Sequence, residues 1–324
     1  MAIKVVKPGL ATTVQDLGRP GYYHIGIPLS GGMDRHALAA ANLLVGNPEG
    51  AAVLEAVFMG PELDFTSDAT LAVTGAELTP KVDGNAKATW TTFKVKSGQK
   101  LSFDFLKKGA RAYIAVAGGI DVPVVLGSRS TYALGALGGF KGRKLESGDE
   151  LPVGASAASM PEGTSIPPAL RGLPEATPTE LRVVPGLYWH RITEAAGVGF
   201  FADTWKVAPE ADRIGYRFKG GKPLEFVPRE PPFGAGSDPS NIVDACYPYG
   251  SIQVPGGTEP IVLHRDAVSG GGYFMVGTVI SADMDLIGQL QPHSQARFVE
   301  VTVAQALKAR KDRAKLIDKI RNSL

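Results

Sequence analysis

Leu101-Ser102-Phe103-Asp104-Phe105 alternates apolar and polar side chains at every step, and Ala112-Tyr113-Ile114-Ala115-Val116 follows as a short, continuous apolar run. Side chains of a strand point to opposite faces in turn, so the first pattern predicts a strand with one buried face and the second a strand buried on both. Val53-Leu54-Glu55, Leu71-Ala72-Val73 and Thr92-Phe93-Lys94-Val95 are runs of the same length between turns. Their β-branched and aromatic content predicts a barrel or sandwich over residues 51–153 rather than helices. The 40 glycines and 24 prolines fit many short strands joined by tight turns, being about 12% and 7% of the chain against averages of about 7% and 5%.

Outward from this region, Ile3 to Val6 reads as another strand, and Pro8-Gly9 opens a polar loop that runs to Tyr22. Met33 to Val45 carries Ala37, Leu38, Ala41, Leu44 and Val45 at helical spacing, with Ser30 and Asp34 as N-terminal signals and Gly46-Asn47-Pro48 as the stop. Leu181 to Gly186, Gly250 to Val254, Pro260 to His264 and Met275 to Ile280 read as strands of a second β-rich region. Between the two, residues 152–180 hold six prolines and no sustained periodicity. At 324 residues two domains are the default, which predicts an N-terminal lobe over 1–155, a Pro-rich linker over 156–180, a C-terminal lobe over 181–302 and a helix over 303–324. Leu181-Arg182-Val183-Val184-Pro185-Gly186 echoes Ile3 to Gly9, and Arg213-Ile214-Gly215-Tyr216 echoes Arg19-Pro20-Gly21-Tyr22, the short signature of a diverged duplication.

Composition narrows the function. With 34 basic and 32 acidic residues the net charge is +2, which provides no global field for nucleic acid or an anionic membrane. Neither a signal peptide nor a transmembrane run is expected from the apolar stretches. A lone Cys246 excludes an intramolecular disulfide and a cysteine-cluster metal site; no metal is expected, and a reducing compartment, most simply the cytoplasm, suits the chain. There is no Gly-x-x-x-x-Gly-Lys-[Ser/Thr], no Gly-x-Gly-x-x-Gly and no His-Glu-x-x-His.

Three polar constellations are candidates for a site. The first joins Gln15, Asp16 and Arg19 to Ser30-Gly31-Gly32 at a helix start, where backbone N–H groups can meet an oxyanion or simply cap the helix. The second is Ser128-Arg129-Ser130-Thr131, one fixed positive charge among three hydroxyls, which reads as an oxyanion anchor or as an arginine tying down loop carbonyls. The third is Arg213, Tyr216, Gln253, His264-Arg265-Asp266 and Ser269-Gly270-Gly271-Gly272-Tyr273. Here His264 is read either as a proton-transfer group or as a packed histidine, and the glycines either as a close backbone approach to a ligand or as a tight corner. His264, Arg213 and Asp266 are the catalytic candidates. Gln15, Arg19, Ser30, Arg129, Ser130, Thr131, Tyr216, Gln253, Gly271, Gly272 and Tyr273 are the substrate-binding ones.

Taken together these loops resemble a family known as the 5-oxoprolinase C subunit, allophanate hydrolase subunit 2 and the biotin-dependent carboxyltransferase domain. The resemblance is carried by Thr12-Thr13-Val14-Gln15-Asp16-Leu17-Gly18-Arg19-Pro20-Gly21-Tyr22, Ser30 to Asp34, Asn42 to Pro48, Gly118 to Pro123, Leu126 to Thr131, Asp212 to Tyr216, Gly250 to Pro255 and Gly277 to Asp283. It implies a mainly β fold of two cyclophilin-like β-barrel domains with a few helices and a site in the cleft between them. It also implies pairing with a Kip-type subunit, resembling the 5-oxoprolinase B subunit, and with a third, lactam-opening subunit. The implied reaction is ATP-dependent opening of the pyroglutamate ring to glutamate, with ATP bound at the complex. The alternatives are a carboxyltransferase component of a urea- or guanidine-type carboxylase, which would need biotin on a separate carrier because no Met-Lys-Met occurs here, and a non-catalytic binder that antagonises a Kip-type kinase inhibitor. The chain departs from the family at His264 to Tyr273, where relatives carry a more basic, Thr-rich loop.

Overall fold

A computed structural model describes residues 2–156 and 159–324, so residues 157 and 158 of the expected linker lie outside the described residues. The fold is mainly β and divides into two compact units. The first comprises the chain up to Pro20, Ser30–Leu173 and Ala314–Leu324; the second comprises Gly21–Leu29 and Pro174–Arg313.

The first unit is built from two sheets. One holds Ala2–Lys7, Glu62–Phe65, Lys100–Phe103, Pro80–Val82, Asn85–Ala86 and Glu150–Pro152; the other holds Thr13–Gln15, Val53–Val57, Arg111–Val116, Ala69–Gly75 and Thr92–Val95. Arg111–Val116 is buried at every position. Ala112, Ile114 and Val116 enter a core with Val5, Leu54, Leu63, Leu71, Val73 and Leu101, while Tyr113 and Ala115 face a second core with helix α1 (Arg35–Leu44). This is the period of two applied to a strand with a layer on each side. The alternation at Leu101 ends sooner than the sequence suggests: the strand stops at Phe103 and Phe105 is 91% exposed.

Helix α1 starts where its sequence signals place it. Asp34 is extended, and its Oδ1 accepts the N–H of Ala37 at 2.9 Å, a side-chain N-cap. The apolar face of α1 packs on Ala72, Tyr113 and Ala115, and Thr74 donates to the carbonyl of Ala37 at 2.6 Å. Part of the proline-rich stretch belongs to this unit rather than linking two others. Ile166 is fully buried in the second core, and its N–H donates to Trp90 O at 3.0 Å. Ile166, with Leu170 packed on the same core and backbone bonds between Thr92 and both Gly163 and Thr164, holds an otherwise aperiodic segment in place.

The second unit is a closed barrel in the order Thr179–Pro185, Met275–Val279, Ser251–Gln253, Ile261–Leu263, Gly215–Lys219, Trp205–Val207 and Gln295–Glu300. A parallel pairing of Gln295–Glu300 with Thr179–Pro185 closes it. Helix α2 (Glu194–Ala202) is capped by Thr193 and sets Phe200 in a stack on Phe298, centroids 4.8 Å apart, with Trp205 tilted beside them. Asn241–Cys246 and Gly270–Tyr273 form a separate two-stranded ribbon. Helix α3 (Met284–Ile287) is a single turn, and α4 (Val303–Ser323) is the expected C-terminal helix. Its last turns are not merely a solvated face: Ile320 is fully buried in the α1 core, with Ile317 and Leu324 against it. Among the described residues no helix is long and apolar enough to cross a membrane.

Candidate functional site

In the first unit the polar loops converge on one carboxylate. Asp16 is nearly buried, and its Oδ1 accepts from Gly18 N at 2.8 Å, from Ser128 Oγ at 2.6 Å and from Ser130 Oγ. Its Oδ2 accepts the N–H of Arg129 at 2.6 Å. Ser130 Oγ returns the contact by accepting Asp16 N–H at 2.9 Å, and the Arg19 guanidinium donates to Ser130 O. Gln15 donates to Thr13 Oγ1 and Thr131 O at 2.9 and 3.2 Å and accepts the N–H of Gly31 at 3.1 Å, while Thr131 donates from N–H and Oγ1 to Val14 O. The structure thus brings Gln15, Arg19, Ser130 and Thr131 together as a bonded network.

This network corrects two expectations. The N–H groups after Ser30 do not wait for an oxyanion: Gly31 serves Gln15, Gly32 serves Asp16 O at 2.9 Å, and Met33 serves the buried carboxylate of Glu55 at 2.9 Å. Glu55 also accepts from Tyr113 Oη at 2.7 Å, and burial, then the Glu55 charge, push that phenol well above its ordinary range. Arg129 turns outward, donating to Val122 O at 2.6 Å and Asp121 at 2.8 Å, the contacts of an arginine that ties down a loop. Ser30 is fully buried, in the left-handed region at φ 51°, and its Oγ has no hydrogen-bond partner among the described residues.

In the second unit, His264 is fully buried. One ring nitrogen, Nε2, lies 3.1 Å from Met284 O, and the ring meets Tyr249 edge-on at 5.3 Å and Tyr216 at 6.1 Å. These are the contacts of a packed histidine, with its ring held between two tyrosines and a backbone carbonyl. Tyr216 is buried as well, its Oη 3.4 Å from Leu290 O. Arg213 and Asp266 form a bidentate pair, Nε to Oδ2 at 2.8 Å and Nη2 to Oδ1 at 3.2 Å, reinforced by Asp266 N–H donating to Arg213 O at 2.9 Å. Each answers the other's charge, so the structure brings these two candidates together as one ion pair.

The glycine run is a strand, not a loop. Gly270–Tyr273 pairs with Asn241–Cys246, and none of Gly270, Gly271 and Gly272 has positive φ. Their role is steric. A Cβ on Gly271 would stand 3.2 Å from the Tyr247 ring, which lies across the strand with its Oη 2.7 Å from both Gly271 O and Tyr273 O, either of which can accept its one proton, and with the same oxygen accepting Tyr273 N–H at 2.8 Å. Gln253 is buried against that phenol, and the Tyr273 side chain is 46% exposed.

Sequence reasoning placed Arg265 in the third constellation without giving it a role, and it passed over Tyr23. Arg265 is 5% exposed with its guanidinium 4.3 Å from the Tyr249 ring centroid. Tyr23, half-buried in the Gly21–Leu29 segment of the same unit, feels both Arg265 and Asp266, and burial raises its phenol above the ordinary value. Proximity of two segments so distant in sequence had no local signal. Among the described residues no group of three or more His, Cys, Asp or Glu side chains is placed to hold a metal.

The sequence model described as "Carboxyltransferase domain, subdomain A and B" matches residues 25–300. The 5-oxoprolinase C subunit of Escherichia coli strain K12 is 35% identical over 318 residues, covering 98% of this chain and 97% of that protein. Urea amidolyase of Lachancea kluyveri is 35% identical over 333 residues, covering 97% of this chain and 18% of that protein. The crystal structure of the Kluyveromyces lactis urea carboxylase superposes with a TM-score of 0.92 at 34% identity, covering all of this chain and 29% of that one.

Proposed function

Because the chain belongs to the family of the carboxyltransferase domain, subdomains A and B, we propose that it is the corresponding subunit of a multi-component 5-oxoprolinase, which opens the pyroglutamate ring to glutamate. The observation that carries this reading is the likeness to a bacterial 5-oxoprolinase C subunit along nearly its whole length. Opening a five-membered lactam at neutral pH requires the resonance-stabilised amide to be activated at its oxygen, the chemistry that ATP supplies. The reading places ATP at the assembled complex, with a Kip-type subunit and a lactam-opening subunit as partners, and makes this chain inactive alone. Its own residues bind and orient the ring acid.

The test is a coupled assay of the chain with those two subunits. Release of ADP that depends on 5-oxoproline and on this chain is the expected result; ADP release that is the same without the chain overturns the reading. A second reading, carboxyl transfer from carboxybiotin to a urea-type acceptor, is favoured by the likeness to the urea carboxylase structure. It predicts acceptor-dependent loss of label from a separately supplied carboxybiotinyl carrier, and no such loss with urea or guanidine excludes it.

A further inference from the structure

Arg265 is a buried cation whose charge the protein does not answer. It is 5% exposed, and its Nε is buried without a hydrogen-bond partner. Among the described residues the guanidinium has no hydrogen bond and no ion pair, and it lies 4.3 Å from the centroid of the Tyr249 ring. A ring face attracts a cation but takes none of its N–H donors. Burying a guanidinium this way is costly, and proteins keep such a group where something else completes it.

The surroundings are built to hold it still. His264 N–H donates to Ile214 O and Asp266 N–H to Arg213 O, both at 2.9 Å, so the residues on either side of Arg265 are stitched to the neighbouring chain. Tyr249 is in turn wedged edge-on against the enclosed His264 ring. Ser269 Oγ donates to Tyr23 O at 3.1 Å, which brings the Tyr23 segment to the same place. The neighbouring carboxylate, Asp266, is already engaged on both oxygens by Arg213. With Asp266 held by Arg213, Arg265 contributes one positive charge that no carboxylate of the described residues pairs.

We propose that Arg265 anchors the carboxylate of a small monocarboxylate substrate, with the Tyr23 hydroxyl as a second donor; this rests on the 5-oxoprolinase reading only for which ring acid is bound. A carboxylate presents two coplanar oxygens to the edge of a guanidinium, leaving the face on Tyr249 undisturbed. One net positive charge balances a monoanion and leaves a phosphate dianion half answered. The raised phenol of Tyr23 keeps its proton at neutral pH and donates rather than repels.

The test is calorimetric titration of the chain, alone and with its partner subunits, using 5-oxoproline, cyclopentanecarboxylate, 2-pyrrolidinone and inorganic phosphate as probes, on the wild type, Arg265→Lys and Arg265→Gln. Both carboxylates bind the wild type, while the uncharged lactam and phosphate bind at least about tenfold more weakly; Arg265→Gln weakens both carboxylates by about tenfold to a hundredfold, and Arg265→Lys falls between. Without ligand, Arg265→Gln melts at or above the wild-type temperature, because an unanswered buried charge has been removed. Equal carboxylate affinity in Arg265→Gln, no carboxylate binding at all, phosphate binding tighter than carboxylate, or a ligand-free melt several degrees lower overturns the assignment. If carboxylates bind through Arg265 but the assembled subunits do not couple 5-oxoproline to ADP release, the functional reading fails and the site stands. If turnover occurs with an unchanged KM in Arg265→Gln, the site fails and the function stands.

Discussion

Replacing Asp16 by Asn exchanges one oxygen for an NH2 group and should unsettle most of the first unit's polar loops. The carboxylate accepts from Gly18 N–H, Ser128 Oγ and Ser130 Oγ on one oxygen and from Arg129 N–H on the other. An amide of the same shape has one acceptor oxygen. With that oxygen kept toward Gly18 and the serines, the new NH2 faces the Arg129 N–H, donor against donor at the 2.6 Å now spanned by a hydrogen bond. The flipped amide sets its NH2 against Gly18 N–H and strands two hydroxyls, which is worse. A buried donor left unsatisfied costs about 1–3 kcal/mol, and the surviving bonds lose charge assistance worth about 1 kcal/mol each before non-additivity, so the total is about 3–5 kcal/mol. For a unit of this size about 2–4 °C of melting temperature accompanies each kcal/mol, a fall of about 6–20 °C. Differential scanning calorimetry of Asp16→Asn reads this directly, and Ser128→Ala, Ser130→Ala and their combinations with it form a double-mutant cycle. A melt within about 2 °C of wild type, or coupling energies near zero, would refute the view that this carboxylate organises the loops.

Ile320→Ala removes a side chain with no exposed surface from the α1 core and should destabilise the protein by about 2–5 kcal/mol in a denaturant titration; a loss under about 0.5 kcal/mol would mean that the C-terminal turns are dispensable. Gly31→Ala places a Cβ 2.8 Å from Gly18 N at a φ of +91°, so it should cost more than about 1 kcal/mol of unfolding free energy. The Arg143 guanidinium, 2.8 Å from both oxygens of Asp149, holds that carboxyl below its ordinary range. A lowered folded-state pKa gives stability that is complete above the unfolded value of about 3.9 and is lost as pH falls through the folded one. The wild type should therefore exceed Asp149→Asn by about 1.5–3 kcal/mol at neutral pH, and melting curves from pH 7 down to pH 2 should show the gap closing only in the acid range.

The elements were legible because their causes are local. Alternation placed the strand at Thr92–Val95, a continuous apolar run placed Arg111–Val116, and a carboxylate three residues before an amide placed the cap of α1 at Asp34. Where a side chain's meaning depends on distant partners, local pattern was silent or misleading. His264 carries the same residue-level promise whether enclosed or exposed, and only packing against Met284 and Tyr249 decides that it is a core residue. Gly270 to Gly272 suggested a loop because glycine permits one, yet they form a strand in which the ring of Tyr247 lies close against Gly271.

The sequence by itself determined the β-rich class, the breaks between strands, the capped helix and the family, since each depends on residues within a few positions or on motifs written continuously along the chain. Tertiary structure alone decided which charges are answered. Asp16 meets Ser128 and Ser130 across 112 and 114 residues, whereas Arg265, beside a carboxylate in sequence, finds that carboxylate already taken by Arg213, 53 residues from it. Pairing of charges is settled by distance in space and by burial, neither of which sequence separation encodes.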